Sequence, residues 1–505
     1  MKIKSIVRDL IIVLLIIFLI LIFNLHKSII MNICLGVIII ILLNTINQLF
    51  LYNRKVSDEK EVSEETYIKS LENLNGSLYN TSNFDEITGL PTRKILTRQL
   101  EKYLKNNTIK NKKLALILMD LDKFQNINDT YGHEVGDNVL RRFSNNLKMI
   151  LNKDFMFARL DGDEFAIIIS DLEKISDINT FLKNILNITK NPMDINGDKV
   201  YCNCSMGISI YPNDGDSIDA LLKSANMALY KAKENGRNRY EFFDSEIFRF
   251  IKREYEVQKA LREAIDNNEL YMMFQPKIDI VTENIKGFEA LVRWENKELG
   301  FVSPGEFIPI AEKSGFIVEL GKFIIDKSFK KCKELYLSTS KKFHIAINIS
   351  AIQLGEDNFV EYISYLINKY ELPPEYLEFE ITESVIMESV EKNIETLLAL
   401  KKLGGSIALD DFGTGYSSLS YLRRLPIDVL KIDKSFLDGI GIDEKSECIA
   451  ESIIKLSHNL DLEVVAEGVE TYEQLGYLNK MNCDIAQGYY FGKPDRFEKI
   501  KNMIN

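Results

Sequence analysis

The chain has 505 residues, which is too many for one ordinary domain and predicts two or three. With 46% hydrophobic and 27% charged residues, the composition is that of a globular protein and argues against a disordered one. The formal net charge of −11 argues against a broad basic surface, so we expect no nucleic-acid partner. A phosphate ligand would therefore have to be bound by a few placed cations or by metal ions.

The first 55 residues are the most apolar part of the chain. Leu10 to Phe23 is an unbroken apolar run, and a nearly continuous one extends from Ile29 to Leu51. Basic residues flank both runs on the outside, which places both ends in the cytoplasm. We therefore expect residues 1–55 to form a transmembrane two-helix hairpin, so that the protein crosses the cell membrane more than once and keeps its catalytic domains in the cytoplasm. The alternative is a cleaved signal peptide, but no small-residue cleavage site follows the first run.

Residues 56–83 are charged and polar, and they connect the apolar segment to the rest of the chain. Tyr67, Leu71, Leu74 and Leu78 recur at alternating four- and three-residue spacing, which is typical of a short coiled coil. A plain connecting helix is an equal alternative, because the pattern lasts for only two heptads.

Residues 84–243 mix the patterns of strands and helices. Two apolar runs, at 114–119 and 165–169, predict buried strands, and residues 200–211 alternate as a strand does. Residues 220–235 have the pattern of a helix. This mixture predicts an α+β domain with one sheet.

This middle domain resembles the GGDEF family of diguanylate cyclases, which condense two GTP molecules across a dimer. The similarity rests on DEITGLP at 85–91, DLDKF at 120–124, NDTYGH at 128–133, GD at 136–137 and AKENGR at 232–237. It implies GTP as a ligand and a homodimer as the assembly. By that similarity the site would use Asp120 and Asp163 for metal, Asn128 and Asp137 for guanine, and Lys233 and Arg237 for the triphosphate, with Glu164 beside them.

Two positions depart from the cyclase pattern. Asp161 replaces the first glycine of the motif that names the family, which here is DGDEF, and Gln125 replaces a lysine that commonly faces the phosphates. An added carboxylate and a lost cation both oppose a polyanionic substrate. The inhibitory R-x-x-D pattern is absent too, since Asn152 and Phe155 occupy its end positions. We therefore expect a weakened or inactive cyclase that serves as a regulatory GTP-binding module; the alternative is a bifunctional cyclase and phosphodiesterase.

Residues 244–505 have a different rhythm. Short apolar runs, each ending in a polar or acidic residue, are separated by helical stretches, which predicts parallel strands. Seven or eight such units in about 240 residues are typical of a TIM-like (β/α)8 barrel, whose chemistry lies at the carboxyl ends of its strands. The polar residues that fall at these ends are Glu289, Asn348, Glu380, Asp410, Asp411 and Glu467.

Taken singly, each of these acids could be a helix N-cap or a surface charge. Together at one barrel mouth, so many carboxylates repel one another unless cations neutralise them. Oxygen ligands of this kind select Mg²⁺ or Mn²⁺ rather than zinc. Two such ions suit the hydrolysis of a phosphodiester.

The same region, from residue 254 to about 500, resembles the EAL family of cyclic di-GMP phosphodiesterases. Seven motifs occur in order: EALVRW at 289–294, NIS at 348–350, EITE at 380–383, DDFGTGYSSL at 410–419, KID at 431–433, AEG at 466–468 and QG at 487–488. The resemblance implies a phosphodiesterase that hydrolyses cyclic di-GMP to linear pGpG with two metal ions. A non-catalytic cyclic di-GMP receptor is an alternative from another class, although such proteins usually lack metal acids or the lysine that are all present here.

The resemblance also implies a role for each residue of the site. One ion would be held by Glu289, Asn348, Glu380 and Asp410, and the other by Asp410, Asp411 and Glu467. Lys431 would orient or help deprotonate the attacking water, and Gln487 would assist near it. Glu383 would stabilise the loop after Asp411, and Gln275 and Arg293 would contact the ligand.

Overall fold

The computed structural model describes residues 2–22, 36–52, 55, 83–110, 113–152, 155–172, 175–195, 197–383, 390–413 and 422–504. The chain divides into two compact units, Met1–Phe248 and Arg249–Asn505, with the division inside the helix Ser245–Ala264. The predicted connecting helix at 56–83 lies outside the described residues except for Asn83, and so does the turn between the two N-terminal apolar runs.

Both apolar runs are helical where the structure describes them, over Lys2–Ile22 and over 36–52. Their large apolar side chains are mostly exposed. Among the helices of the described residues, however, none is both long enough and apolar enough to cross a membrane. The predicted transmembrane hairpin is not confirmed by this part of the chain.

A five-stranded sheet forms the centre of the first unit, in the order β2-β3-β1-β6-β7. All neighbouring strands are antiparallel except β6 and β7, which are parallel. A separate two-stranded hairpin, β4 with β5, completes the strands that are described here. The strands are β1 (Lys113–Leu121), β2 (Met156–Asp161), β3 (Glu164–Leu172), β4 (Met193–Ile195), β5 (Asp198–Val200), β6 (Cys204–Tyr211) and β7 (Tyr240–Phe242).

Helices cover both faces of this sheet. In β1, Leu114, Leu116 and Leu118 pack on one face, and the alternate residues Ala115 and Ile117 pack on the other. This explains why β6 is buried at all eight of its positions, whereas its sequence was read as alternating. The strand also begins only at Cys204. The helices are Arg93–Lys110, Phe124–Tyr131, His133–Ile150, Ile175–Thr189 and Ile218–Glu234.

The second unit contains a closed barrel, as its sequence predicted. Within the described residues, eight strands close through the pairing of β9 with β8, and β10 extends β9 as a hairpin. The strands are β8 (Leu270–Asp279), β9 (Ile285–Asn296), β10 (Gly300–Val302), β11 (His344–Asn348), β12 (Leu377–Thr382), β13 (Ser406–Phe412), β14 (Val429–Ile432), β15 (Glu463–Glu467) and β16 (Ile485–Gln487).

One barrel strand departs from the all-parallel arrangement that was expected. Strands β9 and β11 to β16 are parallel, but β8 is antiparallel to both of its neighbours, β9 and β16. Only residues 280–284 connect β8 to β9. A parallel crossover needs a dozen residues or more, so this short connection allows only a hairpin.

The outward faces of the barrel strands pack against the surrounding helices in one large apolar cluster, which includes Phe288, Phe329, Ile345 and Leu366. The barrel interior, in contrast, contains buried charged side chains. A buried charge needs a partner, so these charged side chains are expected to form ion pairs with one another. The helices of this unit are Ser245–Ala264, Pro304–Ser314, Ile317–Tyr336, Ala351–Leu354, Phe359–Tyr370, Val390–Leu403, Lys434–Leu437, Glu444–His458, Tyr472–Lys480 and Phe497–Ile504, with a 3-10 turn at Pro374–Tyr376.

Candidate active site

The parallel strands bring the predicted acids to one end of the barrel. Their register aligns Asn348 at the end of β11 with Glu380 on β12, and Thr382 beyond it with Asp410 on β13. Asn348 donates from Nδ2 to Oε1 of Glu289 on β9 at 2.7 Å. Side chains that lie far apart in the sequence are therefore neighbours at the carboxyl ends of these strands.

Lys431, on β14, lies at the centre of this group. Its Nζ is 2.9 Å from Glu380 Oε2, 2.9 Å from Asp410 Oδ2 and 2.6 Å from Glu467 Oε1. The side chain is only 1% exposed. Burial disfavours its charge, but the surrounding carboxylates hold the pKa of Lys431 well above its ordinary value. Lys431 is therefore a buried cation that links three predicted metal ligands.

The pKa values of the acids around Lys431 are shifted in different directions. Burial raises the pKa of Glu467 to about 8, and burial likewise raises the pKa values of Glu289 and Asp410. Burial also acts on Glu380, but Lys277 and Lys431 outweigh it and lower the pKa of Glu380 to about 2. Three of these acids thus hold a proton more readily than an ordinary carboxyl group, although Lys431 lies among them.

This donor set fits divalent cations. Carboxylate oxygens of Asp410, Asp411 and Glu467 can lie within 4.8 Å of one another. Oxygen donors without histidine or cysteine suit Mg²⁺ or Mn²⁺. The five carboxylates of the predicted set and Lys431 leave four negative charges, which two divalent ions would neutralise.

The Asp410–Asp411 pair has an unusual backbone. Asp411 has φ of 56°, in the left-handed region, and its backbone N–H donates to Oδ1 of Asp410 at 2.9 Å. A residue other than glycine is uncommon in this conformation and marks functional sites more often than others. Gly413 follows with φ of 94°, and a Cβ there would lie 2.7 Å from the Phe436 ring. The chain thus turns sharply as it leaves the two acids.

Two glutamines extend the site towards β8 and β16. Gln487 donates from Nε2 to Oε2 of Glu289 at 2.6 Å, and it also contacts Oε1 of Gln275 at 3.2 Å. Gln275 in turn donates to the carbonyl oxygen of Gly492 at 3.1 Å. Among the described atoms, Oε1 of Gln487 is buried without a hydrogen-bond partner. It can therefore accept a hydrogen bond from a water or a ligand.

Two further predicted residues lie at the edge of this network. Arg293 is partly exposed near the end of β9, where it donates to the Val292 carbonyl at 2.8 Å, and burial lowers its pKa. Glu383 directly follows β12 and is partly buried. Glu383 was predicted to stabilise the loop after Asp411, but residues 414–421 lie outside the described residues. The role of Glu383 therefore stays a prediction.

Sequence reasoning missed a second buried lysine. Lys277 on β8 contacts Glu378 and Glu380, and all three side chains are buried. The sequence did contain an indication of this lysine's role. Lys277 is a charged residue in a mostly apolar strand, and it lies two residues after Gln275, on the same face. The missing information was its partner strand, which depends on the antiparallel placement of β8.

The middle domain forms a smaller acidic site. Lys233 Nζ lies 2.7 Å from Asp120 Oδ2, and burial raises the pKa values of Asp120 and Asp163. Asn128 packs so closely on Gly136 that a Cβ at that position would lie 1.9 Å from its Oδ1. The structure thus brings Asp120, Asp163 and Lys233 together. Of the remaining predicted residues, Glu164 pairs with Arg93 at 3.6 Å, Asp137 is partly buried, and Arg237 is exposed with φ of 58°.

A buried arginine fixes the turn that carries the DGDEF motif. Arg159 donates from Nε and Nη2 to the Gly162 carbonyl at 2.8 and 2.6 Å, and from Nη1 to both carboxylate oxygens of Asp85 at 3.0 and 2.9 Å. Both departures from the cyclase pattern, Asp161 and Gln125, are exposed. The turn is therefore held in place by Arg159, and the side chains of Asp161 and Gln125 face solvent.

Both units match known protein families. The model of the "EAL domain" family matches residues 258–494, and that of "Diguanylate cyclase, GGDEF domain" matches residues 82–239. The bifunctional diguanylate cyclase/cyclic di-GMP phosphodiesterase MucR of Pseudomonas aeruginosa is 33% identical over 466 residues, which are 92% of this chain and 68% of MucR. The chain belongs to the GGDEF–EAL family.

Other GGDEF–EAL proteins are similar as well. The cyclic di-GMP phosphodiesterase NbdA of Pseudomonas aeruginosa is 34% identical over 441 residues, 87% of this chain but only 56% of NbdA. The chain thus spans little more than half of that relative. The S helix–GGDEF–EAL structure of Vibrio cholerae LapD, bound to c-di-GMP, has a TM-score of 0.55 and 21% identity, and covers 84% of this chain and 99% of LapD's. At that identity the likeness supports the fold alone.

Proposed function

We propose that this GGDEF–EAL protein is a cyclic di-GMP phosphodiesterase that produces linear pGpG. The observation that carries the proposal is the cluster of carboxylates around Lys431 at the barrel mouth. Every position that the family motifs assign to metal or to water is present there. The EAL family match and the activities for which NbdA and MucR are named point to the same substrate.

The residues of the mouth divide into two overlapping sets of metal ligands. One Mg²⁺ or Mn²⁺ would be held by Glu289, Asn348, Glu380 and Asp410, and a second by Asp410, Asp411 and Glu467. When bound, such ions stabilise the negative charge that develops on a phosphodiester under attack. With that charge supplied, the cluster no longer has an excess of four negative charges.

The protein's own groups then place the water and the substrate. Lys431 and the free Oε1 of Gln487 are the polar groups that would hold a water in line with the phosphorus. Water adds to the phosphorus while the bond to the 3′ oxygen breaks, and that oxygen takes up a proton. Arg293 would bind a phosphate oxygen through its guanidinium.

The proposal is tested by removing the metal from the purified full-length chain. Cyclic di-GMP should be converted to pGpG in Mg²⁺ or Mn²⁺, the reaction should stop when the metal is chelated, and it should resume when the metal is restored. A chain that is folded but makes no pGpG with either ion between pH 7 and 9 would refute the phosphodiesterase. Binding of cyclic di-GMP without turnover would instead favour a receptor.

The middle domain is proposed to act mainly as a regulatory GTP-binding module. Asp120, Asp163 and Lys233 lie together, and the turn that carries Asp163 is fixed by Arg159. The exposed carboxylate of Asp161 opposes the approach of a triphosphate. The specific alternative is a bifunctional enzyme, which the similarity to the bifunctional MucR favours. A homodimer is part of this proposal, since cyclases of the family join two GTP molecules across one.

The N-terminal segment is proposed to hold the protein at the cell membrane with both catalytic domains in the cytoplasm. Among the described side chains between Ile11 and Leu51, fifteen large apolar ones are 45–67% exposed, and such a surface needs lipid or protein to cover it. A reporter fused after Arg54 should be active on the cytoplasmic side. Activity only outside that compartment, or recovery of the full chain without membranes, would overturn this placement.

A further inference from the structure

Lys277 lies beneath the acidic mouth, in a position to which the proposed mechanism gives no role. Its Nζ is 2.6 Å from Glu378 Oε1 and 2.6 Å from Glu380 Oε1. The side chains of Lys277, Glu378 and Glu380 are 4%, 5% and 0% exposed. Both contacts are therefore shielded from water and keep a strength that surface ion pairs do not have.

The two buried lysines divide the oxygens of Glu380 between them. Lys277 binds Oε1, and Lys431 binds Oε2 at 2.9 Å. Glu378 precedes Glu380 by two residues on β12, so it lies on the same face, one step closer to the amino ends of the parallel strands. Lys277 therefore reaches Glu380 from the side opposite the mouth.

The lysines also differ in what a metal would do to them. Among the described residues, the carboxylates that pair with Lys431 are all proposed metal ligands, so bound cations would compete with it for each of them. Lys277 contacts Glu380 and Glu378, and Glu378 belongs to neither metal set. The Lys277–Glu378 pair is neutral, and it therefore leaves the net charge of the mouth unchanged.

We infer that Lys277 is a positioning residue, which holds Oε1 of Glu380 and thereby presents Oε2 to the metal. The inference rests on the proposed metal site. A group that orients a ligand in this way typically changes metal affinity by about 10- to 100-fold when it is removed. Lys277 acts through Glu380 and contacts neither water nor substrate in this role.

The test is a calorimetric titration of the full-length chain with Mn²⁺. Replacing Lys277 alone would leave two buried carboxylates beside each other, so the informative variant is Lys277→Met with Glu378→Gln, which removes the pair together. Its Mn²⁺ affinity should fall by about tenfold or more. Cyclic di-GMP turnover should recover in part when Mn²⁺ is raised, which a general loss of structure would not allow.

Two variants serve as controls. Glu378→Gln alone keeps the bond between Lys277 and Glu380, and should bind Mn²⁺ within about threefold of the wild type. Lys286→Met removes a lysine–carboxylate pair of similar length, 2.8 Å to Glu463, in the same barrel, and should leave the affinity unchanged. Thermal unfolding of each variant shows whether it is folded before its titration is interpreted.

The outcomes separate the inference from the proposal beneath it. If the folded wild type takes up no Mn²⁺, the proposed metal site itself fails. If the wild type binds Mn²⁺ and the folded double variant binds it equally well, Lys277 does not position Glu380. The inference is also overturned if Glu378→Gln alone loses as much affinity as the double variant, because the bond from Lys277 to Glu380 would then not be the cause.

Discussion

The two acidic sites of this chain are built from the same residue types but differ in how far they are enclosed. In the barrel, Lys431 is 1% exposed and contacts three carboxylates. In the middle domain, Lys233 is 32% exposed, and among its described partners the only ion pair is with Asp120. A closed barrel gathers acids from many strands and excludes water, whereas one sheet edge gathers few and leaves them open.

The difference extends to which residues are present. The sequence has every residue that the EAL resemblance assigns to metal, and two divalent ions would neutralise the excess negative charge of the described acids at the barrel mouth. The middle domain has the residues that its resemblance assigns to metal and guanine, but Asp161 adds a negative charge, and Gln125 lacks the positive charge of a lysine. Arg159 fixes the turn next to Asp161, so under our proposal the fold of this site is kept while its cyclase chemistry is weakened.

The strongest test of the contrast between the two sites is whether phosphodiesterase activity depends on the acids of the barrel mouth. Replacing Glu289 by Ala removes a proposed metal ligand and the acceptor for both Asn348 and Gln487. Cyclic di-GMP turnover should fall by about a thousandfold or more, which corresponds to about 4 kcal/mol of transition-state stabilisation. The initial rate of pGpG formation measures the effect.

The control for this variant is a substitution at the opposite end of the same barrel. Lys286→Met disrupts an ion pair whose two side chains are 37% and 32% exposed, and it should change turnover by less than about twofold. If Glu289→Ala keeps more than about a tenth of the wild-type rate, Glu289 does not bind the metal. The barrel would then lose its contrast with the middle domain.

A smaller effect should appear when the middle domain is repaired. In a Glu289→Ala background, where product is not destroyed, Asp161→Gly with Gln125→Lys should raise the formation of cyclic di-GMP from GTP by about tenfold. The reason is that the repair removes a carboxylate and restores a cation beside the phosphates. Product can be measured by chromatography after incubation with GTP and Mg²⁺.

The same experiment includes the Glu289→Ala variant without the repair at Asp161 and Gln125. Brisk synthesis of cyclic di-GMP by Glu289→Ala alone would show that Asp161 is tolerated, and the protein would be bifunctional. If the repaired domain binds GTP and still makes no product, the defect lies outside these two positions. The dimer geometry set by residues 56–83 would be the next feature to test.

The sequence predicted much of the barrel because its pattern is local. Apolar runs that end in a polar or acidic residue identified seven parallel strands, among them those that carry Glu289, Asn348 and Glu380. It did not predict that β8 is antiparallel, although the short connection at 280–284 carried that information. The position of Lys277 was missed for the same reason, since a side chain's partners depend on which strands are neighbours. Periodicity gives the face of a residue but not what lies opposite.

The middle domain shows a second limit. The sequence predicted β1, β3 and β6 but not β2, β4, β5 or β7. It also predicted an alternating β6, whereas that strand is buried at every position because both of its faces are covered. Arg159 and Asp85 lie 74 residues apart, and neither the DEITGLP motif nor the DGDEF motif predicts their ion pair. The ion pair follows from the folded structure, which brings the two residues together.

The central claim is that this chain degrades cyclic di-GMP and does not make it. The most direct measurement incubates one preparation of the full-length protein with cyclic di-GMP and, separately, with GTP, in Mg²⁺, and follows both products over time. The account predicts steady release of pGpG in the first reaction, with little or no cyclic di-GMP or pGpG in the second. Intact cyclic di-GMP in the first reaction, or rapid conversion of GTP in the second, would contradict it.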